Sequence, residues 1–181
     1  MKKTVLTFGL ISGALLSAMM LLTAPFHERI GFDTAEIIGY TTMVLAALLV
    51  FFGVRSYRDN VAGGRLTFGR AVGVGLLITL VSSVCYVATW QFVYYRMAPR
   101  FVDQYAAHQL ERERASGATP EQLAASAQRM EQFTKLYRNP FFNIAITFLE
   151  PLPIGVLASL ITAGILTRRR RPQMNDAPVA G

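Results

Sequence analysis

Charge is what this chain has least of. Of its 181 residues, 16% are Asp, Glu, Lys or Arg, while 52% are hydrophobic. A soluble domain of this length carries about a quarter charged residues and spreads its apolar ones over shorter elements. Cysteine is nearly missing too. Cys85 stands alone, which excludes an intramolecular disulfide and leaves the redox compartment open. Two histidines, His27 and His108, are too few for most metal centres. Ser12, Ser82 and Ser83 lie in apolar runs with no histidine close in sequence, so helix-to-helix hydrogen bonding is expected of them rather than nucleophilic chemistry. No catalytic constellation is legible; no enzyme activity and no cofactor are expected.

What the chain does have is long apolar runs, with its charges collected between them. That is the arrangement of an integral membrane protein. Thr4 to Ala24 holds 21 residues without a charge. At about 1.5 Å per residue this covers the roughly 30 Å of a bilayer core. Lys2 and Lys3 before it resemble the start of a signal peptide. The run is longer than such a segment, and Pro25 follows Ala24, the one candidate cleavage residue, so an uncleaved first span is expected. A second span is read at Ile37 to Val54. The third, Val72 to Tyr95, ends in "WQFVYY", an aromatic belt suited to the membrane interface.

Residues 96–140 are polar and helical in pattern twice over. Pro99 is expected to start the first helix, which ends near Ser116-Gly117. Thr119, Pro120 and Gln122 form a capping box for the second, and Asn139-Pro140 ends it. Leu123, Ala127, Met130, Phe133 and Tyr137 recur at helical spacing and give that helix one apolar face. The fourth span, Phe141 to Thr167, is stopped by Arg168 to Arg171. The pattern therefore predicts an all-α fold: one domain over residues 1–171, an integral membrane bundle of four transmembrane helices (about 4–24, 37–54, 72–95 and 141–167). An extra-membrane helical hairpin at 96–140 separates the third and fourth. Residues 172–181 read as a disordered C-terminal tail.

The net charge of +7 invites a nucleic-acid reading, but the basic residues flank apolar spans, where they meet lipid head groups. No nucleic-acid partner is expected. The side carrying the N-terminus, the loop between the second and third spans, and the C-terminus has two, four and four basic residues; the opposite short loop has Arg29. Both termini are thus expected in the cytoplasm of a bacterial inner membrane. The loop "YRDNVAGGRLTFG" lacks the spacing of a phosphate-binding loop, so Arg55, Arg58, Arg65 and Arg70 read as head-group contacts. Thr67 is the expected N-cap of the third span. Small residues recur four apart at Gly9, Gly13 and Ser17, at Gly69 and Gly73, and at Gly155, Ser159 and Ala163. Such stripes let helices approach, within one bundle more readily than between two copies.

The stretch "FLEPLPIGVL" sets a carboxylate and two prolines inside the last span. Pro151 and Pro153 lack an N–H, so the carbonyls of Thr147 and Leu149 lose their helical partners and a kink is expected. Glu150 falls roughly 9 Å below the outer edge of the core. Asn143, Thr147 and Glu150 lie on one stripe, expected to face the bundle interior, with Tyr40, Thr41 and Thr42 of the second span and Tyr86 and Thr89 of the third at comparable depth. An intramembrane acid is a site for a proton, a cation or a ligand, or a neutral group that shapes a kink. His108 with Glu111 supplies one H-x-x-E; di-iron bundles need more, so an exposed helix surface is expected there.

"GLISG" in the first span, "YRDNVAGGRLTFGRA" before the third and "PIGVLASLITAGIL" near the end together resemble a bacterial membrane family, domain-of-unknown-function family 4199. Tyr57-Arg58-Asp59, Gly63-Gly64 and Thr67-Phe68-Gly69 are the most specific of these pieces. The resemblance implies four membrane helices and no established activity. The sequence thus points to a non-enzymatic accessory or scaffold protein, in contact with the bilayer and with a homo-oligomeric or membrane-protein partner, because the hairpin's apolar face must cover something. The alternative is a small proton- or cation-coupled transporter or channel using Glu150.

Overall fold

The computed structural model describes residues 1–167, apart from the side chains of His27 and Glu28. The arginine run 168–171 and the tail read as disordered lie outside the described residues. No strand occurs among the described residues. The chain is an all-α membrane bundle. In order it forms α1 (Lys2–Thr23), a 3-10 turn (Ala24–Phe26), α2 (His27–Ile30), α3 (Phe32–Asn60), α4 (Phe68–Arg96), α5 (Phe101–Ala115), α6 (Pro120–Tyr137), α7 (Pro140–Leu149) and α8 (Leu152–Leu166).

Among the described residues, four stretches are long and apolar enough to cross a membrane: Lys2–Phe26, Phe32–Asn60, Phe68–Arg96 and Pro140–Leu166. The helices outrun the apolar runs that define the expected spans. α3 extends on both sides of 37–54, and its added turns carry Asp33 and Glu36 at one end and Arg55 and Arg58 at the other. Nothing breaks the helix where the hydrocarbon ends, so charged turns continue it into the interface.

α4 is the centre of the bundle, packed against α1, α3 and α8. It runs parallel to α1 in strict register. A Cβ on Gly9 would lie 2.6 Å from Val81 Cβ, one on Gly13 2.6 Å from Cys85 Cβ, and Ser17 Oγ accepts a 2.7 Å hydrogen bond from Thr89 Oγ1. Each step of four on α1 meets a step of four on α4, so the stripe Gly9-Gly13-Ser17 is an intramolecular seam. α8 packs antiparallel on the other flank: Gly75 meets Ser159, and a side chain at Gly155 would collide with Thr79. Val54, Ala71, Ile78, Ser83, Ser159 and Ala163 have no exposed surface in this zone. Between leucine-like lipid tails, this close approach is what holds helices together.

Several expectations are corrected. Gly69 and Gly73 have nothing within reach of an added Cβ, so the third span's seam residue is Gly75. Ser12 Oγ does bridge helices, donating to Ala46 O at 3.3 Å, but Ser82 bonds within its own helix and Ser83 Oγ is buried without a partner. α5 starts at Phe101 rather than at Pro99, because Pro99 and Arg100 form a turn before it. Thr67 is the N-cap residue of α4 as read, in extended conformation, but its side chain makes no cap bond. The capping box at Thr119 forms as read: Gln122 N donates to Thr119 Oγ1 at 3.3 Å and Thr119 N to Gln122 Oε1 at 2.8 Å. Gly117 adopts φ 85°, the left-handed ending that lets α5 reverse into α6.

The hairpin α5–α6 folds back on the ends of α3, α4 and α7. Val102 and Tyr137 are buried with Tyr94, and Trp90, Phe101, Phe133 and Phe142 close around them. Arg138 pairs with Asp103 at 2.8 Å across the two hairpin helices. Phe133 and Tyr137, the end of α6's apolar face, thus pack on the chain's own α4, α5 and α7, while Leu123 and Met130 are half-buried and Ala127 is exposed.

Candidate functional site

The last span breaks where the prolines require it. α7 ends at Leu149, α8 begins at Leu152, and Gly155 N donates to Pro151 O at 3.0 Å to restart the ladder. The break bends the chain without shifting its register on α4. Gln91 meets Asn143 above it and Thr79 meets Gly155 below it, twelve residues apart on each strand of the contact (91 − 79 and 155 − 143).

On the hairpin side of the break the polar stripe faces α4. Asn143 is wholly buried and Thr147 nearly so, at 0% and 4% exposure. Gln91 Nε2 donates to Asn143 Oδ1 at 2.7 Å, while Asn143 Nδ2 is buried with no partner among the described residues. Thr147 lies beside Tyr137 of the hairpin. Burial pushes the Tyr137 phenol up to about 12, and the neighbouring Thr147 hydroxyl acts to lower it.

Glu150 follows α7 with helical dihedrals (φ −61°, ψ −50°) and is exposed as a residue, where Asn143 and Thr147 are buried. Its carboxylate nonetheless reaches α4, where Tyr86 Oη donates to Glu150 Oε2 at 3.0 Å. Two cavities reach it. One, about 360 Å³, lies among α1, α3, α4 and the overlying α5; the other, about 470 Å³, lies among α3, α4, α5, α6 and the broken span α7–α8. Six residues line both: Tyr40, Tyr86, Trp90, Phe101, Tyr105 and Glu150. Five aromatic rings and one carboxylate therefore form the place where the cavities meet. Trp90 and Phe101 pack edge to face with centroids 4.8 Å apart, and Phe101 stacks on Tyr105 at 6.2 Å.

The other sequence-derived candidates separate into groups. Tyr40 lines both cavities. Thr41 points outward and is exposed, while its neighbour Thr42 is buried against its own helix, donating to Ile38 O at 2.7 Å. Thr89 serves the α1 seam through Ser17 and not the carboxylate. Arg58 and Arg55 both face Asp59, at 2.7 Å and 3.7 Å, and Arg65 and Arg70 are exposed at the same end of the bundle. His108 is a contact and not bare surface: its ring stacks on Phe32 with centroids 5.1 Å apart, and its Nε2 lies 3.2 Å from Asp33 Oδ1. That pair ties α5 to the start of α3 over the first cavity.

Trp90, Phe101, Tyr105 and Gln91 were not singled out from sequence. The signal was there. Tyr86 and Trp90 are four apart on α4, as are Phe101 and Tyr105 on α5, which puts each pair on one face. The "WQFVYY" cluster reads as interface belt, and its inward ring is hidden among outward ones: Phe92 and Tyr95 are exposed, Tyr94 is buried.

The family described as Protein of unknown function (DUF4199) matches residues 7–168. The chain belongs to this family. The DUF4199 match covers all four spans, the hairpin and every residue shared by the two cavities. No curated protein and no solved structure matches the chain. Among the described residues no group of three His, Cys, Asp or Glu side chains could hold a metal ion.

Proposed function

We propose that this chain is a non-enzymatic, multi-pass membrane protein that binds a small molecule in the chamber beneath its hairpin. The observation that carries the reading is the convergence of two cavities on a hydrogen-bonded carboxylate, Glu150 with Tyr86, ringed by aromatic side chains. Cavities of about 360 and 470 Å³ are within the range of small-molecule pockets, which pair apolar walls with a few placed polar groups. Part of the hairpin's apolar face, Phe133 and Tyr137, is occupied by the chain's own helices. The detergent-purified protein should unfold at a higher temperature with at least one member of a chemically diverse small-molecule library, and Tyr105→Ala should reduce that shift. A library that leaves the unfolding temperature unmoved throughout would overturn the reading.

The membrane is the cytoplasmic membrane of a bacterium, with both termini inside. Lys2 and Lys3 and the arginines from Arg55 to Arg70 support this orientation, against Arg29 in the opposite short loop. There Arg55, Arg58, Arg65 and Arg70 meet anionic head groups. A reporter fused after Arg171 that works on the outside alone would sink this topology. One observation favours a second reading, carriage of the ligand as a proton- or cation-coupled transporter: the cavities approach Glu150 from different sides. Liposomes holding the protein should then show a flux that Glu150→Gln abolishes with expression unchanged.

A further inference from the structure

We propose that the chamber's ligand is a lipophilic organic cation, with Glu150 as its counter-charge and Tyr40, Tyr86, Trp90 and Tyr105 as the rings around it. This rests on the reading above that the chamber binds a small molecule.

Charge decides the sign. The chain carries a net charge of +7, yet its chamber is acidic. The first cavity's acids and strong bases are Glu36, Glu150 and Arg112, and Arg112 faces Asp33 at 3.9 Å. The second has Glu150 alone. An anionic ligand would have to sit beside a carboxylate that repels it.

The rings decide the kind of cation. Aromatic faces attract a positive charge through the ring quadrupole, most strongly where water is excluded, and they suit charge spread over a large apolar body. A small hard cation wants six or more oxygen ligands. Around Glu150 the nearest built oxygen partner is the single Tyr86 hydroxyl, which already donates to the carboxylate and fixes its position. The route decides lipophilicity. The second cavity is lined by Ile146, Leu149 and Pro153 of the broken span, and Ile146 and Leu149 are exposed on the apolar flank that the bilayer covers. A ligand dissolved in lipid reaches Glu150 from that side; the first cavity leads away from it, under α5, towards His108 and Arg112.

Trp90 is the chain's one tryptophan, so its fluorescence reports on the cage directly. The protein in lipid nanodiscs is titrated with tetraphenylphosphonium, with the anion of the same shape, tetraphenylborate, and with neutral triphenylphosphine oxide; empty nanodiscs correct for partitioning. Tetraphenylphosphonium should change the emission saturably, at least tenfold tighter than the other two. Glu150→Gln should erase most of that preference. Tyr40→Leu, at an exposed position, should weaken the cation several-fold. If all three probes bind alike and Glu150→Gln alters none of them, the cation assignment falls and small-molecule binding stands. If no probe binds and no library compound stabilises the protein, both fall together.

Discussion

The two ends of the bundle are built on opposite principles. Towards the termini, α1, α4 and α8 touch backbone to backbone through Gly9, Gly13, Gly75, Gly155, Ser159 and Ala163, and the core there has no room for an extra methyl group. Towards the hairpin, bulky rings and a proline break hold the helices apart and leave two cavities that meet at Glu150. In a bilayer the helices gain little from hiding apolar surface from one another, so side-chain size along each seam sets how closely they come. Small residues close the bundle; large ones, propped by a kink, open it. Stability and ligand space are thus allotted to different ends of the same four helices.

Breaking the closed end should have the largest effect. Gly155→Leu and Gly13→Leu force a side chain into Thr79 and Cys85, and overpacking of this kind costs about 1–3 kcal/mol or more. Gly73→Leu places the same side chain where nothing lies within 4 Å. Thermal unfolding of the three variants in one detergent should show a clear loss for the first two and almost none for the third. Equal losses would mean that the seam is not where the rigidity resides.

Next comes the polar link that spans the open end. Asn143→Ala deletes the acceptor of Gln91 and exposes a wholly buried site, at a cost of about 1–3 kcal/mol for a buried group left unpaired. A double-mutant cycle with Gln91→Ala isolates the bond itself, expected at about 0.6 kcal/mol as for other hydrogen bonds between membrane helices. A coupling indistinguishable from zero would show that the contact contributes no pairing energy.

The same contrast explains what was legible in the sequence. The closed end follows from local rules: small residues four apart on α1 and α8 are visible in a linear string, and they meet the helix opposite. Gly69 and Gly73 show the limit, since spacing alone does not say which face of α4 points inward. The open end depends on a turn of the chain that no periodicity encodes. Pro151 and Pro153 announce a kink, but where Glu150 points after it depends on how α7 settles against α4 and α6. Helical phase put Glu150 with Asn143 and Thr147; it reaches α4 through Tyr86, but unlike them it is not buried. Residues that meet only through tertiary packing, such as Trp90 with Phe101, carry no mark in sequence beyond being aromatic.

Restoring the helix at the break would sharpen the comparison from the other direction. Pro151→Ala together with Pro153→Ala returns donors to the carbonyls of Thr147 and Leu149 and allows α7 and α8 to run on as one helix. Because Gln91–Asn143 and Thr79–Gly155 already share a register across the break, straightening requires no sliding along α4. The double variant should therefore unfold within a few degrees of the native protein. The distance between spin labels on Ile144 and Ile161 should nonetheless change, and Trp90 emission should shift as Glu150 moves within the cavities the two residues share. An unchanged distance would place the origin of the kink in the hairpin rather than in the prolines.

The smallest effect is expected where the hairpin rests on α3. Asp33 receives His108 at 3.2 Å and Arg112 at 3.9 Å, and the Phe32 ring stacks on the imidazole. Asp33 is well exposed, so its pairs are screened and contribute under about 1 kcal/mol. His108→Ala should leave the global unfolding temperature almost unmoved, since the seams at the closed end determine it. Its consequence is local: α5 loses one of its ties to α3 above the first cavity, while Phe32 still packs on Phe101 and Tyr105 and Val102 and Tyr137 still anchor the hairpin to α4. Amide hydrogen exchange should accelerate over residues 105–115 and remain unchanged in α6 and in the half of α4 that faces α8. Faster exchange throughout the hairpin would mean that the histidine contact, rather than the aromatic core beneath it, holds the roof of the chamber in place.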